Sequence, residues 1–150
     1  MRFLLDTSSY LEFLNDSDAA ERAAAVLREI APYLHLSAVV RAELTQGAKG
    51  KAGRALVDKL ARPFERCGRV VTPAYEDWVT AATAQSKLWD ESPSQRTKKL
   101  LFDLLLACSA RRIGAWLVTE NERDFQRIDR WLPTKRLRIA DLLGTPRSSR

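Results

Sequence analysis

The chain has 150 residues, 45% hydrophobic and 29% charged, the make-up of one globular domain large enough to bury a substantial core. No apolar run approaches the roughly 18 residues that span a bilayer, and the N-terminus reaches Asp6 before a signal-peptide core can form, so a cytosolic protein without membrane attachment is expected. The net charge of +6 suits a polyanionic partner, since each phosphate neutralised by Lys or Arg releases condensed counterions, but charge alone does not separate nucleic-acid binders from other basic proteins.

Residues 3–5 are a short apolar run closed by Asp6-Thr7-Ser8-Ser9, a cluster of helix-capping types, after which Tyr10, Leu11, Phe13 and Leu14 recur at helical spacing. This predicts strand, turn, helix. An alanine-rich helix follows over 19–30, capped from Ser17, and then a brief strand over 33–36. Ser37 should cap a helix over 38–46 that Gly47 stops. Leu56, Val57 and Leu60 predict a helix over 53–64, and Val70-Val71-Thr72 before Pro73 a strand with a hard end. Tyr75, Trp78, Val79 and Ala82 fall at i, i+3, i+4 and i+7, the pattern of an amphipathic helix lasting to Trp89. Residues 90–96, with Ser92-Pro93-Ser94, read as a loop. Residues 100–113 form an apolar helix stopped by Gly114, residues 115–119 a buried strand ending at Glu120-Asn121, and 137–139 a last strand.

Short strands alternating with helices predict an α/β fold, a three-layer α/β/α sandwich around a short, mainly parallel sheet. One domain over 1–143 and a disordered tail over 144–150 are expected. In such sheets ligands bind outside the carboxyl ends of the strands.

Four acidic positions stand where such a sheet binds ligands or where a carboxylate is costly. Asp6 directly follows the first strand, although an Asp-Thr-Ser run also caps helices. Glu43 shares a helix side with Val39 and Val40, and pairing with Arg41 at a helix edge is its plainer account. Asp103 is the one charge in Leu101-Phe102-Asp103-Leu104-Leu105-Leu106-Ala107, where burial costs on the order of several kcal/mol unless a cation or donors meet it. Thr119-Glu120-Asn121-Glu122-Arg123-Asp124-Phe125 is a polar knot at a strand's carboxyl end. There Asp124 is the preferred carboxylate, Asn121 can supply an amide oxygen instead, and Glu120 and Glu122 are expected to be solvated. Ser8, Thr119 and Asn121 are the polar groups expected around the carboxylates.

Carboxylates converging on one cleft repel and raise one another's pKa unless hard cations neutralise them. Mg²⁺ does so with oxygen ligands and several retained waters, and Mn²⁺ can substitute. Ions held this way bind a phosphodiester, lower the pKa of an attacking water and stabilise the leaving oxyanion, which is hydrolytic nuclease chemistry needing no histidine, cysteine or serine nucleophile. His35, in a short apolar strand, reads as a core residue. Cys67 and Cys108 share no C-x-x-C spacing and read as small packing residues.

The ordered set strand-Asp6-Thr7-Ser8, Ala42-Glu43-Leu44, Asp103-Leu104-Leu105-Leu106-Ala107-Cys108-Ser109-Ala110 and Leu117-Val118-Thr119-Glu120-Asn121-Glu122-Arg123-Asp124-Phe125 resembles the PIN domain in its VapC-type toxin branch, over nearly the whole chain. The resemblance implies a metal-dependent endoribonuclease of the bacterial cytosol, forming a homodimer and inhibited by a small cognate antitoxin. It matches Asp6 and Asp103 to the family's principal metal ligands and Glu43 to the acid of the middle helix. The family often has an acid three residues before the final Asp-Phe, where this chain has Asn121, which leaves a second metal ion open.

Lys98 and Lys99, about one turn before Asp103, either steer a phosphate towards the metal or are a solvated helix start. Arg111, Arg112, Arg130, Lys135, Arg136 and Arg138 form an RNA-facing surface or a merely soluble one. The helix of Tyr10, Leu11, Phe13 and Leu14 is a candidate wall of an antitoxin groove. A haloacid-dehalogenase-type phosphatase needs a second Asp where Ser8 stands, and a response-regulator receiver needs an adjacent acidic pair after its first strand. A catalytically degenerate PIN fold that binds RNA or protein without cutting stays open, encouraged by Asn121.

Overall fold

Three apolar residues with no polar partner in alternation, Phe3-Leu4-Leu5, suit a strand covered on both faces, as in a parallel sheet with helices above and below. The computed structural model describes residues 1–15, 25, 28–92 and 99–144, and this strand is the centre of its sheet. Strands β1 (Phe3–Leu5), β2 (Leu34–Ser37), β3 (Val70–Val71), β4 (Trp116–Val118) and β5 (Arg136–Leu137) run in the order β3-β2-β1-β4-β5. Every pairing is parallel, with Phe3 opposite both Leu34 and Trp116, and Leu5 opposite Val118. Helices α1 (Thr7–Asn15), α2 (Ala38–Gly47), α3 (Gly50–Arg66), α4 (Tyr75–Glu91), α5 (Lys99–Arg112), α6 (Glu122–Asp129) and α7 (Ile139–Gly144) cover both faces, the three-layer arrangement that the sequence predicts.

From β1 the chain passes to β2 on one side, and it later returns to β4 on the other. The crevice at that reversal lies outside the carboxyl ends of β1 and β4. Helix α5 is the centre of the molecule. Residues 103–110 are buried without interruption, with β4 against one side of the helix and α4 against another. That explains a helix with no polar face. Gly114, at φ 65°, ends it by taking the left-handed conformation open to glycine, and Ala115 then donates to the Ala110 carbonyl at 2.8 Å.

Several local expectations hold. Ser37 caps α2 by accepting from the Val39 N–H at 3.2 Å, and α2 includes Gly47. Others are corrected. The polar run after β4 is a helix, α6, whose only buried side chains are Phe125 and Ile128 at i and i+3. The last strand lies at Arg136–Leu137, and Ile139 begins α7. His35 is half-buried, with Nδ1 3.1 Å from the Tyr33 carbonyl, rather than a core residue. Cys67 is exposed just beyond α3, so only Cys108 is a packing residue. Of the predicted helix over 19–30, residue 25 and residues 28–30 are described, and helical, while the Ser17 cap lies outside the described residues. Gly144 closes α7, and the rest of the predicted tail, 145–150, also lies outside them. Among the described residues no helix is long and apolar enough to cross a membrane.

The largest departure is α4. The apolar stripe read from Tyr75, Trp78, Val79 and Ala82 points to solvent. The face turned inward carries Asp77, Ala81, Ala84, Gln85 and Leu88. Small residues there let α4 approach α5 closely. Asp77 stays buried because its Oδ2 accepts from Arg112 Nε and from the Ala74 N–H, both at 2.8 Å, while Arg112 also donates to the Thr72 carbonyl.

Candidate functional site

Asp6 sits one residue past β1, with its backbone N–H still in the ladder to the Val118 carbonyl. Its carbonyl accepts from Ser9 and Tyr10, so it is the first turn's anchor as well. The side chain is 5% exposed. Oδ1 accepts from the Thr7 N–H at 2.7 Å, and Oδ2 accepts from the hydroxyls of Ser8 and Thr119, each at 2.9 Å. Three donors fix this carboxylate in a buried place.

The network spreads from there. Thr7 Oγ1 donates to Glu43 Oε2 at 2.5 Å, tying the start of α1 to α2. Thr119 Oγ1 accepts from the Asn121 N–H at 3.0 Å, and Asn121 Nδ2 donates to Asp124 Oδ2 at 2.7 Å. Asp6, Ser8, Glu43, Thr119, Asn121 and Asp124, six positions singled out in the sequence, are thus linked through hydrogen bonds, with Thr7 as the joint between two of them. Thr7 was not foreseen as more than a capping type, because its partner is 36 residues away and no local pattern marks it.

Asp103 is 5% exposed and lies within the first half of α5. Because α5 hands over to β4 through Gly114, its last turn is at the amino edge of the sheet and its first turns are at the carboxyl edge. From Asp103 to Arg112 the helix spans about 13 Å, and from Trp116 to Thr119 the strand climbs about 10 Å. Asp103 therefore stands near the level of Thr119 and Asp6. Lys99 opens the helix, and Lys98 lies outside the described residues.

Glu120 and the Glu122 side chain are exposed, as expected, but each also has a partner. Glu120 Oε1 accepts from the Ile139 N–H at 2.8 Å and so starts α7. Glu122 accepts from Arg136 Nη2 at 3.1 Å. Arg136 is held by Asp129 as well, through both terminal nitrogens, with its side chain 11% exposed, and the Asp129 hydrogen bonds push its pKa upward. Arg136 is therefore a structural cation, whereas Arg112 is ion-paired to Asp77 but keeps a side chain 39% exposed. Arg138 is exposed and contacts Asp141, whose carboxyl is held below its usual range by the Arg138 N–H and guanidinium.

The donors on offer are all oxygens, which suits a hard cation and neither zinc nor copper. Among the described residues no three Asp, Glu, His or Cys side chains are gathered closely enough to hold an ion between them. An ion of the Mg²⁺ kind keeps several waters and takes only one or two direct carboxylates. The residues fit such an ion by donor chemistry.

A family model described as the PIN domain matches residues 3–130. No curated protein matches the chain. Among solved structures, the chain resembles one in the DNA-bound VapBC complex from Salmonella typhimurium, at 18% identity and a TM-score of 0.65 over 93% of this chain and 98% of that one. It also resembles a chain of VapBC-1 from nontypeable Haemophilus influenzae, at 20% identity and a TM-score of 0.67 over 93% and 99%. A chain of FitAcB from Neisseria gonorrhoeae matches at 21% identity and a TM-score of 0.67 over 92% and 98%. The family model spans most of the chain, from β1 through α6: this protein belongs to the PIN domain family.

Proposed function

We propose that this chain is a Mg²⁺-dependent endoribonuclease that hydrolyses RNA phosphodiester bonds in the cytoplasm, and that it is the toxin of a bacterial toxin–antitoxin pair, active as a homodimer. Family membership supports the nuclease, since PIN-domain nucleases generally use divalent metals. The complexes among its structural relatives support a small antitoxin partner. What supports the chemistry is that two carboxylates are kept buried, Asp6 directly after β1 and Asp103 in the first half of α5.

In this reading Asp6 and Asp103 hold the ion, with Glu43 and Asp124 completing the acidic set. Bound there, the ion supplies charge for the scissile phosphate and acidifies water. The chain's own part is positioning. Thr7, Ser8 and Thr119 keep the Asp6 carboxylate oriented, Thr7 fixes Glu43, and Asn121 fixes Asp124. Lys99 would meet the incoming backbone phosphate, with Lys98 beside it in sequence.

Cleavage of total RNA by the purified protein should need Mg²⁺ or Mn²⁺, stop on chelation, and fall at least about a hundredfold in Asp103→Asn, which keeps the shape and removes the charge. RNA binding without cleavage, in wild type and variant alike, would instead select the degenerate binding module. Asn121, an amide where relatives often carry an acid, is the feature that favours that second reading.

A further inference from the structure

Beside the candidate site lies a cavity of about 510 Å³, lined by Glu122, Thr134, Arg136, Leu137, Arg138 and Asp141, that the chemistry proposed above does not use. Its place is fixed by the sheet. Leu5 stands opposite Val118, and Val118 opposite Leu137. Both ladders continue by one bond, from the Asp6 N–H to the Val118 carbonyl at 2.8 Å and from the Thr119 N–H to the Leu137 carbonyl at 3.0 Å. Asp6, Thr119 and Arg138 therefore form a row across three parallel strands on one face of the sheet, about 10 Å from first to last. One loop serves both places, since Thr119 holds Asp6 while Glu120 accepts from the Ile139 N–H at 2.8 Å. An RNA strand with a phosphate at Asp6 has a neighbouring base within reach of the cavity.

The lining selects the kind of group that enters. Two carboxylates and two guanidiniums leave it without net charge, which suits an uncharged polar group better than a bare phosphate or a metal ion. Glu122 Oε1 accepts from Arg136 Nη2 at 3.1 Å and from Gln126 Nε2 at 3.4 Å. Arg136 is itself clamped by Asp129, so the Glu122 carboxylate has a set orientation, with about half of its roughly four acceptor sites taken. Arg138 is exposed, and its guanidinium meets Asp141 only at 3.4 and 3.5 Å, long for a charge-assisted bond, which leaves donors for a ligand.

We infer, on the ribonuclease reading above, that this cavity takes the base of a nucleotide next to the scissile phosphate and prefers guanine. Bases splayed from single-stranded RNA are read on their Watson–Crick edges. Guanine alone sets two N–H donors, on N1 and N2, side by side there, next to the O6 acceptor. Glu122 accepts from both, Arg138 donates to O6, and Leu137 packs against the ring. Adenine and cytosine offer one amino group beside an acceptor, and uracil one N–H between two carbonyls.

Two measurements test this. With Mg²⁺ and a random-sequence RNA pool, the sequenced cut ends should show guanine enriched at least about tenfold at one fixed position beside the cut. Glu122→Gln, which has one acceptor oxygen in place of two, should lose that enrichment while still cutting, and Arg138→Met should weaken it. The second readout needs no cleavage. In Asp103→Asn protein, a fluorescent adenine-run RNA oligonucleotide carrying one guanine should bind roughly tenfold tighter than the all-adenine oligonucleotide. Inosine, which lacks the N2 amino group, should fall between them, and adding Glu122→Gln should level all three. A flat base profile at the cuts, a guanine preference that survives Glu122→Gln, or equal affinities for the oligonucleotides overturns the inference. Cleavage without base preference sinks only the guanine pocket, whereas guanine-selective binding without cleavage in wild type keeps the base site and sinks the nuclease reading.

Discussion

Thr7 shows how a single hydroxyl joins segments distant in sequence. Its Oγ1 donates to Glu43 at 2.5 Å while its N–H donates to Asp6 at 2.7 Å, so one residue orients two carboxylates from different elements. Thr7→Val keeps the shape and the backbone bond but removes the hydroxyl that donates to Glu43. We expect RNA cleavage to slow by roughly tenfold with little change in melting temperature, whereas Thr7→Ser should retain most activity. The two cysteines give a second expectation. Burial, with the Asp77 carboxylate next and Arg111 opposing, raises the Cys108 thiol to about 11, so it stays protonated and unreactive at neutral pH. Iodoacetamide should add once, at exposed Cys67, in the native protein and twice in denaturant, as mass spectrometry would count. The linkage has a definite sign: an unfolded thiol ionises near its ordinary value of 9.0 and the folded one near 11. Stability therefore falls as pH rises from about 9 towards 11, and removal of the thiol should blunt that fall. At this scale the sequence exposed much. Residues flanking strand ends, such as Asp6, Ser8 and Thr119, show their hydrogen-bonding company through position alone, and Asp103 stands out among leucines. Thr7 and Glu120 did not stand out, since each finds its partner through the fold: Glu43 for one, the Ile139 N–H for the other.

Among the elements, strands and the buried helix were legible because parallel strands and central helices concentrate apolar residues into short runs. Helix α6 was not. It owns two buried side chains, Phe125 and Ile128, and every other position is polar or charged, so its helical period has almost nothing to register. Helix α4 misled for the opposite reason. Its period is clear, but amphipathicity says which side differs, not which partner covers it. What seats α4 on the core is Ala81, Ala84 and Leu88 together with a polar anchor, the buried Asp77 with Arg112 and the Ala74 N–H. Asp77→Ala should lower unfolding stability in urea by about 2 kcal/mol, discounted from a fully buried pair because Arg112 is partly solvated. Cleavage at low temperature should persist, since this pair anchors the start of α4 at the end of α5, well away from Asp103.

For the molecule as a whole, the proposed function rests on the carboxyl edges of β1 and β4 acting together with the first turns of α5. The five strands could be placed in sequence, but their order could not. That order follows from which faces the helices cover, and it alone makes Asp6 and Thr119 neighbours at 2.9 Å despite a separation of 113 positions. Both sheet margins are made of strands only two residues long, β3 and β5. So little unpaired backbone gives another chain almost nothing to extend. Copies of this protein are thereby steered away from edge-to-edge stacking into fibrils.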